Sequence, residues 1–276
     1  LHTRRNGGAS VPATCFPCEG TLACSFSPYL VQCVGRAMGE EAAAQGVGLL
    51  LGPGLNMKRS PLCGRNFEYF SEDPTLAAAL GQAMVQGIQA AGVAAGLDLE
   101  MPSSGGINDT EVVRAVRSGA LSEKAVDEAA LRVLRAADRY ALPVVRRPPA
   151  PPAAHHALAV QAAAQSAVLL KNNGLLPLAR GEDVAVIGAL AGPAFKYQGA
   201  GSSFVNAARP ESLLQALRAA GQKVRYEPGY SVQQGTGSAA LAARAVHLAK
   251  RAHTVVYCMG LTDLYETEGY LSLIHI

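Results

Sequence analysis

Two short stretches of this 276-residue chain carry residues whose types and spacing could do chemistry. In the first, Gly64 stands beside Arg65 within KRSPLCGRNFEYFSEDP. Glycine lets the backbone come close to a ligand, and the planar guanidinium can grip two oxygens at once, so sugar hydroxyls and carboxylates are its natural targets. In the second, LTDLYETEGY, Glu266 and Glu268 precede Gly269 at the exit of an apolar run, where a carboxyl group could give up a proton. By composition alone, Lys58, Arg59, Arg65, Glu68, Glu72 and Asp73 could equally be a solvated loop tied by surface ion pairs, each worth little.

The elements that must position these residues follow from pattern. Val47 to Leu51 is an apolar run that meets Gly52, Pro53 and Gly54, which predicts a strand emptying into a long loop. A helix is expected before it, from Pro28 to Gln45, and another after it, from Thr75 to Ala91, with Leu76, Leu80, Met84, Val85 and Ile88 on one face. Residues 108–140 read as two helices joined at Ser118-Gly119. Ser122 caps the second, with Lys124, Asp127 and Arg132 outward and Val126, Ala130, Val133 and Leu134 inward. The proline run in residues 147–154 predicts an extended spacer and a domain boundary. Beyond it a helix is expected from His155 to Asn172, with surface or capping histidines. Then Asp183 to Gly188, Glu211 to Ala220, Val224 to Tyr226, Ala239 to Arg251 and Thr254 to Cys258 alternate as strand and helix, the pattern of an open, largely parallel sheet.

Composition excludes several classes. With 49% hydrophobic residues the chain can bury sizeable cores, and a net charge of +3 without a Lys/Arg block points to neither nucleic acid nor a membrane surface. No run of about 18 apolar residues and no signal-peptide core occurs, and the six cysteines are too few and uneven for a disulfide framework, so reduced thiols and a cytoplasmic setting are expected. Cys15 and Cys18 form C-x-x-C, but the spacing to Cys24 and Cys33 fits no zinc ribbon or finger; buried structural thiols are expected instead, and no metal. A nucleotide-binding α/β protein is a rival reading, because glycines follow the strand DVAVIG. Gly188 to Gly192, however, lacks the G-x-G-x-x-G spacing, and no G-K-[ST] occurs.

The order of residues in N-x-K-R-S-P-L-C-G-R-N-F-E-Y-F-S-E-D-P closely resembles the loop after an early barrel strand in family-3 glycoside hydrolases, a group with many bacterial β-glucosidases. S-V-P-A-T-C-F-P, A-G-L-D-L-E-M-P, the helix-stop phrase around Asn172-Asn173-Gly174 and Y-Q-G-A-G-S-S resemble the family as well. The resemblance implies an incomplete TIM-like (β/α) barrel domain over 1–146, a linker over 147–154, a truncated α/β sandwich domain with a largely parallel sheet over 155–270, and an artefactual tail over 271–276. It implies retaining hydrolysis of terminal, non-reducing β-D-glucosyl residues, with a β-glucoside or oligosaccharide as substrate and no cofactor. Arg65 would hold the sugar. Glu268 would be the acid/base, with Glu266 the second choice.

The resemblance also implies a loss. A complete barrel takes about 250 residues, whereas the proline run here begins after residue 146. The family's K-H-F and S-D-W elements, the latter holding the nucleophilic Asp, occur nowhere in the sequence, which places an internal deletion near residues 92–96. Asp98 and Glu100 align beyond the nucleophile and are not assigned that role. The expected protein is thus inactive, with a sugar-binding remnant as the alternative.

Overall fold

A computed structural model describes residues 11–61, 63–95, 106–140, 152–199, 204–232 and 237–262. The chain divides into two compact units, one of Phe16–Arg59 and Asn66–Ala167, the other of Leu1–Cys15, Ser60–Arg65 and Val168–Ile276.

The first unit is built on two capped helices. In α2 (Pro28–Ala44) the Ser27 side chain accepts the Leu30 amide at 3.2 Å, and in α3 (Pro74–Ala90) the Asp73 carboxylate accepts the Thr75 amide at 2.7 Å. Both helices place proline in the first turn, where its missing N–H costs nothing. A shorter helix, α1 (Glu19–Ala23), precedes them and buries Leu22 and Ala23.

Helices α2 and α3 cross with their backbones in direct contact. A Cβ on Gly87 would lie 2.2 Å from the Gln32 carbonyl oxygen, one on Gly35 2.6 Å from that of Met84, and one on Gly39 2.8 Å from that of Ile88. The buried face of α3 is therefore Ala77, Leu80, Gly81, Ala83, Met84, Gly87 and Ile88, while Leu76 and Val85, expected inside, are only half-buried. Small residues let the helices approach, and the large ones pack around the crossing.

The run Val47 to Leu51 forms no strand. Leu49 makes a single parallel bridge to Ala94, with the Leu50 amide donating to the Ala94 carbonyl at 3.0 Å and the Ala94 amide to that of Gly48 at 2.8 Å. Pro53 supplies no donor and Leu51 is exposed, so neither hydrogen bonding nor burial extends the pairing. A second parallel bridge joins Gly54 to Tyr69.

Helices α4 (Ile107–Arg117) and α5 (Glu123–Tyr140) have the expected limits, and Ser122 caps the second through the Ala125 amide at 3.2 Å. Their apolar stripe is not inside. Ala130 and Leu134 are exposed, Leu134 to 66%, and Val126 and Val133 are half-buried, because among the described residues too little packs on the stripe to cover it.

Helix α6 (Pro152–Gln165) packs on α2, and the unit continues to Ala167, past the proline run. His155 is not a surface or capping residue. It is 6% exposed, its Nδ1 lies 2.8 Å from Glu41 Oε1 and its Nε2 3.2 Å from Glu40 Oε2, and Arg36 Nε donates to Glu40 at 3.0 Å. The ring therefore bridges the two carboxyl groups, with one nitrogen within hydrogen-bond distance of each. The helix also stops short of Asn172. Leu169 and Leu170 are exposed, so a longer helix would gain no packing, and the Asn172 side chain instead closes a turn by accepting the Gly174 and Leu176 amides, each at 3.1 Å.

The second unit holds a parallel sheet in the order β2-β1-β3, with β1 (Asp183–Ile187), β2 (Lys223–Glu227) and β3 (Thr254–Tyr257). Val184 pairs with Val224 on one side and Thr254 on the other. As the middle strand, β1 buries Val184, Ala185 and Val186 completely, which is why its sequence is a continuous apolar run. Helices α7 (Leu213–Ala219) and α8 (Ala239–Ala249) form the crossovers; Ser212 and Gln215 make a capping box at the start of α7, and Ser238 caps α8. Leu214, Leu217, Leu178 and Tyr226 close the core over the sheet. The molecule is therefore α/β, with an incomplete barrel-type portion and a sandwich-type portion carrying a small parallel sheet. Among the described residues no helix is long and apolar enough to cross a membrane.

Two substitutions test this packing. Gly87→Ala should destabilise the first unit by about 3 kcal/mol or more, read by urea unfolding, since backbone atoms and not flexible side chains receive the new methyl. His155→Leu should cost about 2 kcal/mol in the same assay, because Glu40 and Glu41 lose the ring that hydrogen-bonds to both. An unchanged midpoint for either would contradict the contact concerned.

Candidate functional site

The loop between Gly52 and Asp73 is fastened at both ends. On its way out, the Gly54 amide points at the Glu19 carboxyl of α1, 3.2 Å from Oε1 and 3.0 Å from Oε2. A Cβ at Gly54 would lie 2.0 Å from the Glu68 carbonyl oxygen, so only glycine fits between α1 and the returning chain. On its way back, Asn66–Glu68 forms one 3-10 turn against α1, the Lys58 amide donates to the Ser71 carbonyl at 3.2 Å, and Phe70 is buried before Asp73 starts α3.

Glu19 is the one described carboxyl group moved far from its ordinary range: it is pushed up to about 8. Loss of water around the carboxylate is the largest cause. The Gly54 N–H opposes it, the Glu68 charge adds to it and the Lys58 ammonium opposes it. Lys58 lies along α1, its Nζ 2.8 Å from where a Cβ of Gly20 would be.

Arg65 follows Gly64 in a turn and is exposed. Glu266 and Glu268 lie outside the described residues, as do Asp98 and Glu100. The strand leading toward Glu266 and Glu268 is fixed: the Cys258 amide donates to the Ile187 carbonyl at 2.7 Å, the Tyr230 hydroxyl to that of Cys258 at 2.8 Å, and the Lys196 ammonium to that of Leu261 at 3.2 Å. A Cβ on Gly188 would meet the Cys258 carbonyl oxygen at 2.0 Å, so the glycine after β1 serves close strand packing.

Cysteine behaviour differs from expectation. None of the six cysteines is in a disulfide, but Cys18, Cys24 and Cys63 are exposed and Cys15, Cys33 and Cys258 only half-buried. The short α1 turns Leu22 and Ala23 inward, which leaves Cys18 and Cys24 at its two ends facing out. Among the described residues no group of three or more His, Cys, Asp or Glu could hold a metal ion. Sequence reasoning passed over Glu19, Glu40 and Glu41. The available signals were an acid amid the apolar residues of CFPCEGTLAC, and paired acids near the end of α2 with a His pair on a later helix.

Comparison with known proteins identifies the lineage. The model of the glycosyl hydrolase family 3 N-terminal domain matches residues 3–97, and that of the family's C-terminal domain matches residues 167–273, together more than half of the chain. The chain is 34% identical to thermostable beta-glucosidase B of Acetivibrio thermocellus and 29% identical to an exo-alpha-(1->6)-L-arabinopyranosidase of Bifidobacterium longum; 95% of this chain and 48% of each relative are covered. The beta-glucosidase of Bifidobacterium adolescentis superposes with a TM-score of 0.76 at 28% identity, over 97% of this chain and 53% of that one. The chain thus spans about half the length of the curated relatives it matches. The two alignments run to 360 and 375 residues while drawing on only 95% of 276, so about 100 positions in each relative face no residue here. With both domain models matched in order and the fold shared with a solved member, the chain belongs to glycosyl hydrolase family 3.

Proposed function

We propose that this chain is a piece of a retaining β-glucosidase that keeps the sugar-holding loop and the proton-donor loop but lacks the attacking carboxylate. The observation that carries the reading is the absence of K-H-F and S-D-W from the sequence, together with the roughly 100 positions of each relative's aligned stretch that face no residue here. The deletion is assigned near residues 92–96, close to where the N-terminal family match stops at residue 97. The intact reaction releases a terminal, non-reducing β-D-glucosyl residue through a covalent glycosyl-enzyme, and asks for neither metal nor cofactor.

In that scheme the Arg65 guanidinium holds two sugar oxygens, and the Glu268 carboxyl protonates the departing oxygen and later takes a proton from water, with Glu266 the second choice. Proton donation alone leaves the anomeric carbon without a nucleophile, so turnover fails although binding can persist. The relatives' names include both a beta-glucosidase and an arabinopyranosidase, which leaves the preferred sugar to be measured.

A second reading, a non-catalytic sugar-binding remnant, draws support from the loop leading to Arg65, which remains anchored on α1 and α3. Purified protein should release no nitrophenol from 4-nitrophenyl β-glucoside. Release that disappears in Glu268→Gln would contradict the missing nucleophile. Calorimetric titration with glucose should give heat that Arg65→Ala abolishes if the sugar-binding remnant persists; no heat with the unmodified chain ends that second reading.

A further inference from the structure

We propose that the Glu19 carboxyl group is a proton-operated positioning latch that closes the two limbs around Gly54 and Tyr69, residues 52–59 and 66–71, onto α1 through the Gly54 amide. The geometry supports this in three ways. The Gly54 N–H lies within hydrogen-bond reach of both carboxyl oxygens, at 3.2 and 3.0 Å, so one oxygen can accept it while the other carries a proton. The two limbs of the loop touch at this point, through the parallel bridge of Gly54 with Tyr69 and the 2.0 Å limit at the Glu68 carbonyl, so whatever holds Gly54 holds both limbs. Finally, Glu19 ties this point by hydrogen bonding to α1, which is itself held by burial of Leu22 and Ala23.

The charges around the latch are mixed. Glu68 and Lys58 face it from the loop, and Tyr69 borders Gly54. From α6, which also packs against α1, the ionisable groups are His155, engaged by Glu40 and Glu41, and His156. Lys58 does not offset the loss of water and the Glu68 charge, since the closed-state value stands near 8 against an ordinary 4.5.

The sign follows from linkage. Below pH 4.5 the carboxyl is protonated whether the loop is closed or open, and closure is at its strongest. Between 4.5 and 8 only the open form ionises, so the opening equilibrium grows by up to tenfold per pH unit; above 8 both forms are ionised and the growth stops. The latch itself does not depend on the sugar reading; only its value for presenting Arg65 rests on it.

Amide hydrogen exchange of the full chain at pH 5 to 9, corrected for intrinsic rates, tests the proposal. Protection of the Gly54 amide should fall by about tenfold per pH unit up to pH 8 and then level off, while the Leu80 amide in α3 keeps its protection. Glu19→Gln, which keeps an acceptor oxygen, should protect Gly54 equally at every pH, and Glu19→Ala should leave it poorly protected throughout. A pH-independent Gly54 amide in the unmodified chain, the same pH profile in Glu19→Gln, or loss of Leu80 protection in step with Gly54 would each overturn the latch. Glucose titration run beside it separates the two ideas, because exchange that follows this pattern without any heat from glucose removes the sugar reading and leaves the latch standing.

Discussion

Close backbone contact between α2 and α3 is the constraint from which the first unit follows. Gly35, Gly39 and Gly87 bring main-chain atoms to distances at which no Cβ fits, and Val31, Val34, Leu80, Met84 and Ile88 then pack around the contact. Everything of chemical interest in this unit hangs from that pair. The loop ends at the Asp73 cap of α3, α6 is tied to α2 by the His155 bridge, and α1 leads into α2. The helix pair supplies most of the packed core on which the loop is held, and Leu22, Phe70 and Ala162 add to it from the elements around the pair.

Electrostatics act at two places on that scaffold, in opposite ways. At His155 the buried ring has a carboxyl group at each nitrogen, so its burial is offset by hydrogen bonding. At Glu19 the carboxylate loses its water, accepts from the Gly54 amide and faces Glu68, so the neutral form is favoured. In the second unit the sheet is held by the apolar run of β1 and, at the edges, by exposed pairs such as Arg225 with Asp183 and Arg244 with Glu227, which add little beyond orientation.

Local signals in the sequence were enough for the parts of the fold that local chemistry decides. Ser27-Pro28 and Asp73-Pro74 announce two helices, and the apolar runs at β1 and β3 separated by helical periods announce a parallel sheet. What could not be read depends on what meets what. Counting large apolar residues placed Leu76 and Val85 in the contact face of α3, whereas glycine and alanine occupy it. The stripe on α5 is plain in the sequence, yet Leu134 is exposed, because amphipathic periodicity records a face without showing that a partner is present. Glu19 and His155 became visible only when Gly54 and the α2 acids arrived beside them from distant positions in the chain. The Gly64-Arg65 loop was recognisable by its residue order, while the segment bearing Glu268 lies outside the described residues.

Family membership places the chain in a hydrolase lineage, and the function proposed above holds that one of the two carboxyl groups its reaction requires is missing. The most direct measurement of that claim is intact mass spectrometry after incubation with an activated 2-deoxy-2-fluoro-β-glucoside, which leaves a stable glycosyl-enzyme on any retaining nucleophile. The account predicts an unchanged mass. A stoichiometric adduct mapped to an aspartate or glutamate of this chain would contradict it.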